Sequence, residues 1–272
     1  MKFVAYLLLY KRIEGSELLN QTISDMLTYS KEVETLYIFN YHRYPQTTLI
    51  DVLKMYKNIE YVDLPNKGQV ANYSDALNHA VKVNADYATV IETGYFYEDN
   101  SYHEIKRMII QNEFSDKTAV ITPIPVLTCE SKNDTKEAYR KVKGVHLTGA
   151  FINMNIYKQT EGFYLPYYQT TFDYDYCLQT RLLGYDVMLA QNLVLRKQNY
   201  KIITKKIGFI SLSMHVSTLT SSSFSWLDQS FIISSTTAND STVAPLALGC
   251  PPPPYLTAIW FILYLLERSS TI

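Results

Sequence analysis

The sequence lacks the features that mark several common classes of protein. Its 272 residues include only three cysteines, Cys129, Cys177 and Cys250, and no C-x-x-C pair. This scarcity argues against a disulfide scaffold or a zinc cluster and suits a reducing compartment. The formal net charge is −1, so the composition gives no reason to expect nucleic-acid binding. Neither G-x-x-x-x-G-K-[ST] nor G-x-G-x-x-G occurs, which excludes the two common phosphate-binding loops.

No hydrophobic run is long enough to predict a membrane span. The run "YLTAIWFILYLL" occupies 255–266, whereas a spanning helix needs ~20 apolar residues. This segment therefore indicates at most a peripheral membrane contact or a partner-binding segment. The N-terminal run "MKFVAYLLLYKR" has no small-residue cleavage site, which favours a buried strand over a signal peptide. We expect a cytoplasmic protein, with membrane association through 255–266 as the alternative.

Strand-like and helix-like segments alternate regularly in the first third of the chain. Apolar runs of strand length lie at 3–9, 33–41, 59–65 and 85–93, and segments with helical spacing of apolar residues separate them. Alternation of this kind is typical of an α/β protein. We therefore predict a doubly wound, mostly parallel sheet with helices on both faces.

The composition changes abruptly after Lys206. No Lys or Arg occurs between Ile207 and Glu267, serine and threonine crowd residues 211–242, and four prolines follow at 251–254. Such a segment buries too little apolar surface to order itself readily. We interpret the chain as one domain at 1–206 and a low-charge tail at 207–272. The tail is expected to be poorly ordered, whether it is a functional segment or the product of a frameshift or read-through.

Two stretches place polar groups where a doubly wound sheet binds ligands. In "VIETGYFYEDN", Glu92 lies at the carboxyl end of the fourth predicted strand, and ligands bind at that edge of such sheets. A solvated carboxylate without a function is the alternative for Glu92. In "PNKGQVANYSDALN", Asn66 and Gly68 form a turn before a helix, whose backbone N–H groups suit a phosphate.

A third stretch, "QTTFDYDYCLQTRLLGY" at 169–185, combines two carboxylates with a helix start. Asp173 and Asp175 precede an apolar stripe that we predict to contain Tyr176, Leu178, Leu182 and Leu183. A carboxylate at this place can cap the helix by accepting its free N–H groups. Asp173 is therefore either a helix cap or a group that takes part in chemistry.

Taken together, these segments resemble the family 2 inverting glycosyltransferases, which have the GT-A fold. The most specific match is "FDYDYCLQTRLLGY" against the family pattern E-D-x-D-x-C-x-R-x-x-x-x-G-Y, preceded by "TGAFINMNIYKQTEGFY". The order of the other elements also agrees, from the first strand end at residues 9–12 through "NKG" at 66–68 to "ADYATVIETG" at 85–94. The resemblance covers residues 1 to about 200.

The resemblance implies transfer of a sugar from a nucleotide-diphosphate sugar to a hydroxyl of a glycan or protein acceptor, with inversion. A role in surface polysaccharide or glycoprotein synthesis would follow. Asp173 occupies the position of the general base, and we expect the helix dipole to hold its pKa down. The residues implied to bind the donor are Tyr10, Arg12, Asn40, Asn66, Gly68 and Glu92.

Several positions depart from the family pattern. Glu92-Thr93-Gly94 stands where the metal-binding D-x-D is expected, so Glu92 is the one carboxylate left to hold Mg²⁺ or Mn²⁺. Further departures are Asn40 in place of an Asp, Ser74, Gln179 and Arg196. Without a metal, Arg196 or Lys11 would have to neutralise the diphosphate. A catalytically inactive homologue that binds a nucleotide sugar or a partner enzyme is the alternative function.

Overall fold

The chain divides into two compact units, Met1–Asn199 and Tyr200–Ile272. The computed structural model describes residues 1–13, 17–98, 100–126, 138–165 and 171–197, together with the backbone of strands at 200–207, 210–217 and 231–235. The division falls close to the boundary that the composition predicts at 206/207.

In the described part of the first unit, the chain forms a nine-stranded sheet and six helices. The strands are β1 (Phe3–Leu9), β2 (Thr35–Asn40), β3 (Ile59–Asp63), β4 (Tyr87–Glu92), β5 (Tyr95–Tyr97), β6 (Thr118–Val126), β7 (Tyr139–Lys141), β8 (Phe151–Asn153) and β9 (Asp186–Lys197). The helices are α1 (Glu17–Glu32), α2 (Thr47–Leu53), α3 (Gln69–Lys82), α4 (Ser101–Ile110), α5 (Met154–Tyr157) and α6 (Phe172–Leu182).

The strand order is β3-β2-β1-β4-β8-β6-β9-β5, and β7 pairs with β9 outside this path. Strands β3, β2, β1 and β4 pair in parallel with one another, which confirms the predicted α/β architecture. The sheet becomes mixed beyond β4, because β8 lies antiparallel between β4 and β6. Strand β9 again runs parallel to β6.

Helices cover both faces of the sheet, as predicted. All seven residues of β1 are buried, because each face of the strand packs against its own hydrophobic core. Tyr6 and Leu8 belong to the core shared with α3, α5 and α6. Ala5 and Leu7 point to the opposite face and pack into the core shared with α1, α2 and α4. The period-2 alternation of a strand produces this division.

The carboxyl ends of several strands meet at one edge of the sheet. Leu9 pairs with Asn40, Asn40 with Asp63, and Leu8 with Glu92. Strand β9 runs in the same direction, because two antiparallel pairings through β8 relate β6 to β4. The end of β9 and the N-terminus of the preceding α6 therefore lie at this edge as well, which makes it the place to look for a site.

The second unit is described by its backbone. Strand β10 (Tyr200–Ile207) pairs antiparallel with β11 (Ile210–Ser217), which pairs antiparallel with β12 (Phe231–Ser235). The Ser/Thr-rich stretch at 211–242, expected to be poorly ordered, contains most of β11 and all of β12. The proline run and the apolar segment 255–266 lie outside the described residues. Within the described residues, no helix has the length and apolar character to cross a membrane.

Candidate functional site

Asp173 lies in the first turn of α6, but it does not cap the helix. Thr171 occupies the N-cap position, with no capping hydrogen bond from its side chain. Oδ2 of Asp173 instead lies 3.1 Å from Nδ1 of His146, within hydrogen-bond distance. The Asp173 side chain is 9% exposed, whereas that of His146 is 44% exposed. Asp173 is thus not the N-cap of α6, and its part in chemistry stays a prediction.

The surroundings of Asp173 raise its pKa, contrary to the effect expected from the helix dipole. Burial is the main cause, and it outweighs the opposite effects of the His146 hydrogen bond and the backbone N–H of Leu147. No hydrogen bond of standard geometry reaches Oδ1 from the described residues. The bond to Asp173 raises the pKa of His146 against the opposing effect of burial. The pKa values of both Asp173 and His146 are thus raised, so the pair binds a proton more tightly than either group would alone.

The segment between β7 and β8 carries His146 to α6. The rings of His146 and Tyr174 meet edge to face with centroids 5.7 Å apart. Gly144 packs so closely on the same Tyr174 ring that an added Cβ would lie 2.6 Å from it. Cys177 and Arg181 of α6 donate hydrogen bonds to backbone carbonyls of this segment. His146 escaped the sequence analysis because a lone histidine in "KGVHLTGA" matches no motif.

Glu92 lies at the end of β4, as predicted, but its side chain is already engaged. Oε1 accepts a hydrogen bond from Nε2 of Gln69, the first residue of α3. Burial raises the pKa of Glu92, Gln69 and Lys197 lower it, and the nearby charge of Asp173 raises it further. Glu92, Asp173 and Lys197 therefore act on one another in a single electrostatic cluster.

Tyr73 of α3 connects the two carboxylates. Burial raises the pKa of this fully buried phenol well above its ordinary value, and Glu92 and then Asp173 add to the effect. Its hydroxyl lies 2.5 Å from Oγ1 of Thr148, in the segment that also carries His146. The phenol stays neutral and fixes α3 to that segment.

In the turn at 66–68, the backbone N–H groups of Lys67 and Gly68 already donate to side-chain oxygens. Oδ1 of Asn66 accepts a hydrogen bond from the backbone N–H of Gly68 and a second from Nδ2 of Asn72, both at 3.0 Å. Oδ1 of Asn72 accepts from the N–H of Lys67 at 3.2 Å. Gly68 has φ +97°, which only glycine adopts readily, and it forms the N-cap of α3. Asn66 and Gly68 therefore shape the turn itself.

Asn40 is likewise occupied by its own surroundings. It is fully buried, and its Nδ2 donates to Oδ1 of Asp63 at 2.7 Å and to the carbonyl of Tyr44 at 3.2 Å. Its Oδ1 accepts from the N–H of His42 at 3.3 Å. Asn40 thus positions the loop after β2, whereas the sequence analysis expected it to face the donor.

That loop forms one wall of a cleft of about 670 Å³ beside the ends of β1, β2 and β3. The lining residues are Tyr10, Tyr41, His42, Arg43, Pro45, Asp63, Leu64, Pro65 and Asn66. The rings of Tyr10 and Tyr41 stack with centroids 5.7 Å apart and planes 18° apart. An aromatic wall with a few polar groups suits a planar heterocyclic ligand. The nearby charge of Glu92 contributes to the raised pKa of Tyr10, after burial, so the cleft adjoins the carboxylate cluster.

The basic side chains near the site are not the ones that the sequence analysis selected to contact the donor. Nε of Arg196 donates to Oε1 of Glu98, a carboxylate that the sequence analysis did not place in the site. Lys11 and Arg12 are exposed beyond the end of β1, where the sequence analysis placed donor contacts for Arg12. Lys197, which the sequence analysis did not select, is the cation whose charge reaches both Glu92 and His146.

The residues present do not fit a divalent cation held by the protein. No group of three His, Cys, Asp or Glu side chains in the described part of the chain is arranged to hold a metal ion. Glu92, the predicted ligand, contributes one carboxylate, and Gln69 already donates to one of its oxygens. The metal role of Glu92 therefore stays a prediction, and no step is derived from a bound cation.

Comparison with solved structures confirms the GT-A fold. TarS of S. aureus (residues 1–349) matches with a TM-score of 0.52 and 10% identity over 73% of this chain and 60% of that one. GalNAc-T7 with UDP, GalNAc and Mn²⁺ matches with a TM-score of 0.57 and 9% identity, over 73% of this chain and 44% of that one. The mannosyltransferase PcManGT of Pyrobaculum calidifontis with GDP-Man and Mn²⁺ matches with a TM-score of 0.53 and 9% identity, over 72% of this chain and 56% of that one.

These similarities establish the fold alone, because the identities are so low. The chain spans between 44% and 60% of the length of these three structures. No protein-family model matches the sequence, and no curated protein shows a significant match.

Proposed function

We propose that this chain is an inverting glycosyltransferase of the family 2 type, which moves a hexose from a nucleotide-diphosphate sugar to a hydroxyl of a glycan or protein. The observation that carries the proposal is the buried Asp173 carboxylate at the carboxyl edge of the sheet, hydrogen-bonded to His146 beside a second carboxylate, Glu92. Structures of the same fold hold UDP-GlcNAc in TarS and GDP-Man in PcManGT, which supports a nucleotide sugar as the donor.

The aromatic cleft is the proposed site for the nucleobase. Tyr10 and Tyr41 offer stacked rings, and Arg43 and Asp63 add polar groups of both charges at the rim. The diphosphate then lies toward Glu92, where Gln69 donates a hydrogen bond and the charge of Lys197 acts. Lys197 supplies positive charge for the leaving group in place of the predicted Arg196.

The proposed reaction needs a base on the acceptor side of the sugar. As the acceptor hydroxyl attacks the anomeric carbon, its proton passes to the base centre formed by Asp173 and His146. The bond from the anomeric carbon to the diphosphate oxygen breaks, and its electron pair leaves with the nucleoside diphosphate. Burial raises the pKa of Asp173 toward the operating pH, which makes the carboxylate a stronger base.

A specific observation favours a second function, an inactive homologue that binds a nucleotide sugar. Glu92 stands alone in place of the D-x-D, and Gln69 donates to one of its oxygens. Such a protein would keep the aromatic cleft and lose turnover. The membrane contact predicted for 255–266 and a role in surface polysaccharide or glycoprotein synthesis remain proposals for either function.

Thermal unfolding and donor turnover of the full chain test the proposal together. A nucleoside diphosphate at 100 times its dissociation constant stabilises the folded state by about 2.7 kcal/mol, which raises Tm by about 5–10 °C for a unit of this size. Asp173→Asn should lower donor hydrolysis and transfer by ~10²–10⁴-fold and keep the Tm rise. UDP-, dTDP- and GDP-sugars are compared, with the released nucleoside diphosphate as the readout.

Asp175→Asn is the matched control. Asp175 lies in the same helical turn, but its carboxylate accepts from Nε2 of Gln179 at 2.8 Å on α6 itself. We expect this variant to keep full turnover. The absence of any Tm rise with all three nucleotides would refute donor binding. A Tm rise without turnover by the unsubstituted chain would favour the inactive homologue.

A further inference from the structure

His146 stands between the solvent and Asp173. Nδ1 of His146 is 3.1 Å from Oδ2 of Asp173, and the imidazole is 44% exposed while the carboxylate beneath it is 9% exposed. A hydroxyl group that approaches this carboxylate from the solvent therefore meets the imidazole first. This arrangement changes which atom can receive the acceptor proton.

We infer that Nε2 of His146 takes the proton from the acceptor hydroxyl and that Asp173 acts through His146 as its positioning residue. The inference rests on the proposed glycosyl transfer and names the atom that performs its proton step. Asp173 was expected to contact the acceptor itself, and here it orients the ring that does so.

The hydrogen bond fixes the tautomer that this role requires. A carboxylate at Asp173 can only accept, so Nδ1–H is then the donor, and the neutral ring carries its lone pair on Nε2, on the side away from the carboxylate. Nε2 makes no hydrogen bond within the described part of the chain. Tyr174 packs edge to face against the ring, and Gly144 allows that tyrosine to approach the segment closely. The ring is thus held in orientation with one nitrogen available.

The charges around His146 favour its protonated form as the reaction proceeds. Asp173 and Glu92 both raise the pKa of the imidazole, and Lys197 lowers it. The Tyr174 ring also packs against the imidazole, edge to face. Two carboxylates against one ammonium group leave the surroundings net negative, so a positive charge that develops on the ring is stabilised.

The step is balanced in atoms and charge. The acceptor O–H bond breaks and its proton forms an N–H bond at Nε2, while the acceptor oxygen bonds to the anomeric carbon. The bond between that carbon and the diphosphate oxygen breaks, and the nucleoside diphosphate takes its electron pair. The imidazolium, paired with the Asp173 carboxylate, then returns its proton to the solvent.

His146→Asn separates a catalytic role from a structural one. The amide nitrogen of asparagine can occupy the place of Nδ1 and keep the hydrogen bond to Asp173, but nothing replaces Nε2. We expect kcat/KM for transfer to fall by ~10²–10⁴-fold, with the Tm rise by UDP or GDP unchanged. His146→Gln, which loses the Asp173 bond, should be at least as impaired. Activity of His146→Asn within about threefold of the unsubstituted chain would overturn the inference.

His103→Gln is the matched control. Nδ1 of His103 also lies 3.1 Å from a carboxylate oxygen, Oε1 of Glu32, and its side chain is 55% exposed. This pair joins α4 and α1 on the opposite face of the sheet from α6. We expect His103→Gln to transfer sugar at the unsubstituted rate, and a loss equal to that of His146→Asn would overturn a specific role for His146.

Imidazole rescue supplies a readout that a structural role would not move. Added imidazole should restore part of the activity of His146→Ala. The rescued rate should saturate with imidazole concentration and should rise with pH as imidazole becomes neutral. Imidazole should not rescue Asp173→Asn. In the pH profile of kcat/KM, the acidic limb of the unsubstituted chain should move to lower pH in Asp173→Asn, because Asp173 raises the pKa of His146.

The failures of the two proposals are distinguishable. Full activity in His146→Asn combined with inactivity in Asp173→Asn would make Asp173 the direct base and refute only the inference. Lack of turnover in the unsubstituted chain, with every donor, would refute the transferase proposal and the inference with it.

Discussion

Gly149→Ala should destabilise the first unit, and the loss has two separate causes, a backbone strain and a steric overlap. Gly149 has φ +69°, a conformation that costs an L-residue about 1 kcal/mol. An added Cβ would lie 2.6 Å from Cδ2 and 2.8 Å from Cδ1 of the buried Leu195, an overlap worth about 1–3 kcal/mol. The expected loss in the free energy of unfolding is therefore about 2–4 kcal/mol.

The assay is urea unfolding followed by far-ultraviolet circular dichroism, with Gly184→Ala as the control. Gly184 has a similar φ of +85°, but nothing lies within 4 Å of its added Cβ, so only the backbone cost of about 1 kcal/mol applies. The difference between the variants isolates the overlap with Leu195. Leu195→Ala should then cost less in the Gly149→Ala background than alone. Equal losses for the two glycine variants, or strict additivity with Leu195→Ala, would refute this reasoning.

Two further predictions concern buried ionisable groups on α1 and α6. Burial raises the pKa of Asp25 to about 6 in the folded chain, so the folded state binds its proton more tightly than the unfolded state, and stability falls as the pH rises from about 4 through 6. Asn cannot ionise, so between pH 4 and pH 8 the free energy of unfolding of Asp25→Asn should rise by about 1–2 kcal/mol relative to that of the unsubstituted chain, with partial solvent screening allowed for. Urea unfolding of both proteins at both pH values measures this difference. A difference of zero would refute the reasoning. Burial raises the pKa of the Cys177 thiol to about 12, so peptide mass spectrometry should find it alkylated by iodoacetamide at pH 8 only after denaturation, and native labelling would contradict its burial.

The first four strands and their helices were predictable because their sequence signal is local. A strand such as β1, buried on both faces, reads as an unbroken apolar run, and the helix that follows has apolar residues at helical spacing. The antiparallel β8 escaped prediction because it has only three residues, Phe151–Asn153. A segment that short carries no periodicity, and its direction is decided by the neighbours β4 and β6.

The orientation of α6 shows why a correct helix can have the wrong buried face. Of the predicted apolar stripe only Tyr176 is buried, while Leu178, Leu182 and Leu183 are exposed. The buried face instead consists of Phe172, Asp173, Tyr176, Cys177 and Thr180. Because this helix carries apolar residues on several sides, counting them does not fix its rotation. The observed rotation turns Asp173 toward His146, a contact between residues too far apart in sequence for local patterns to reveal.

The same contact connects the two halves of the proposed reaction. Glu92, on the proposed donor side, raises the pKa of His146, on the proposed acceptor side, so charge placed near Glu92 also raises the pKa of the proposed base. A nucleotide sugar bound as proposed brings further negative charge to that side, which raises the affinity of His146 for a proton when the acceptor must lose one. Departure of the nucleoside diphosphate removes that charge and lowers the pKa of the imidazole again. The base therefore becomes strongest with the donor in place and releases its proton most readily after the product leaves, so reset of the proton step follows from product release.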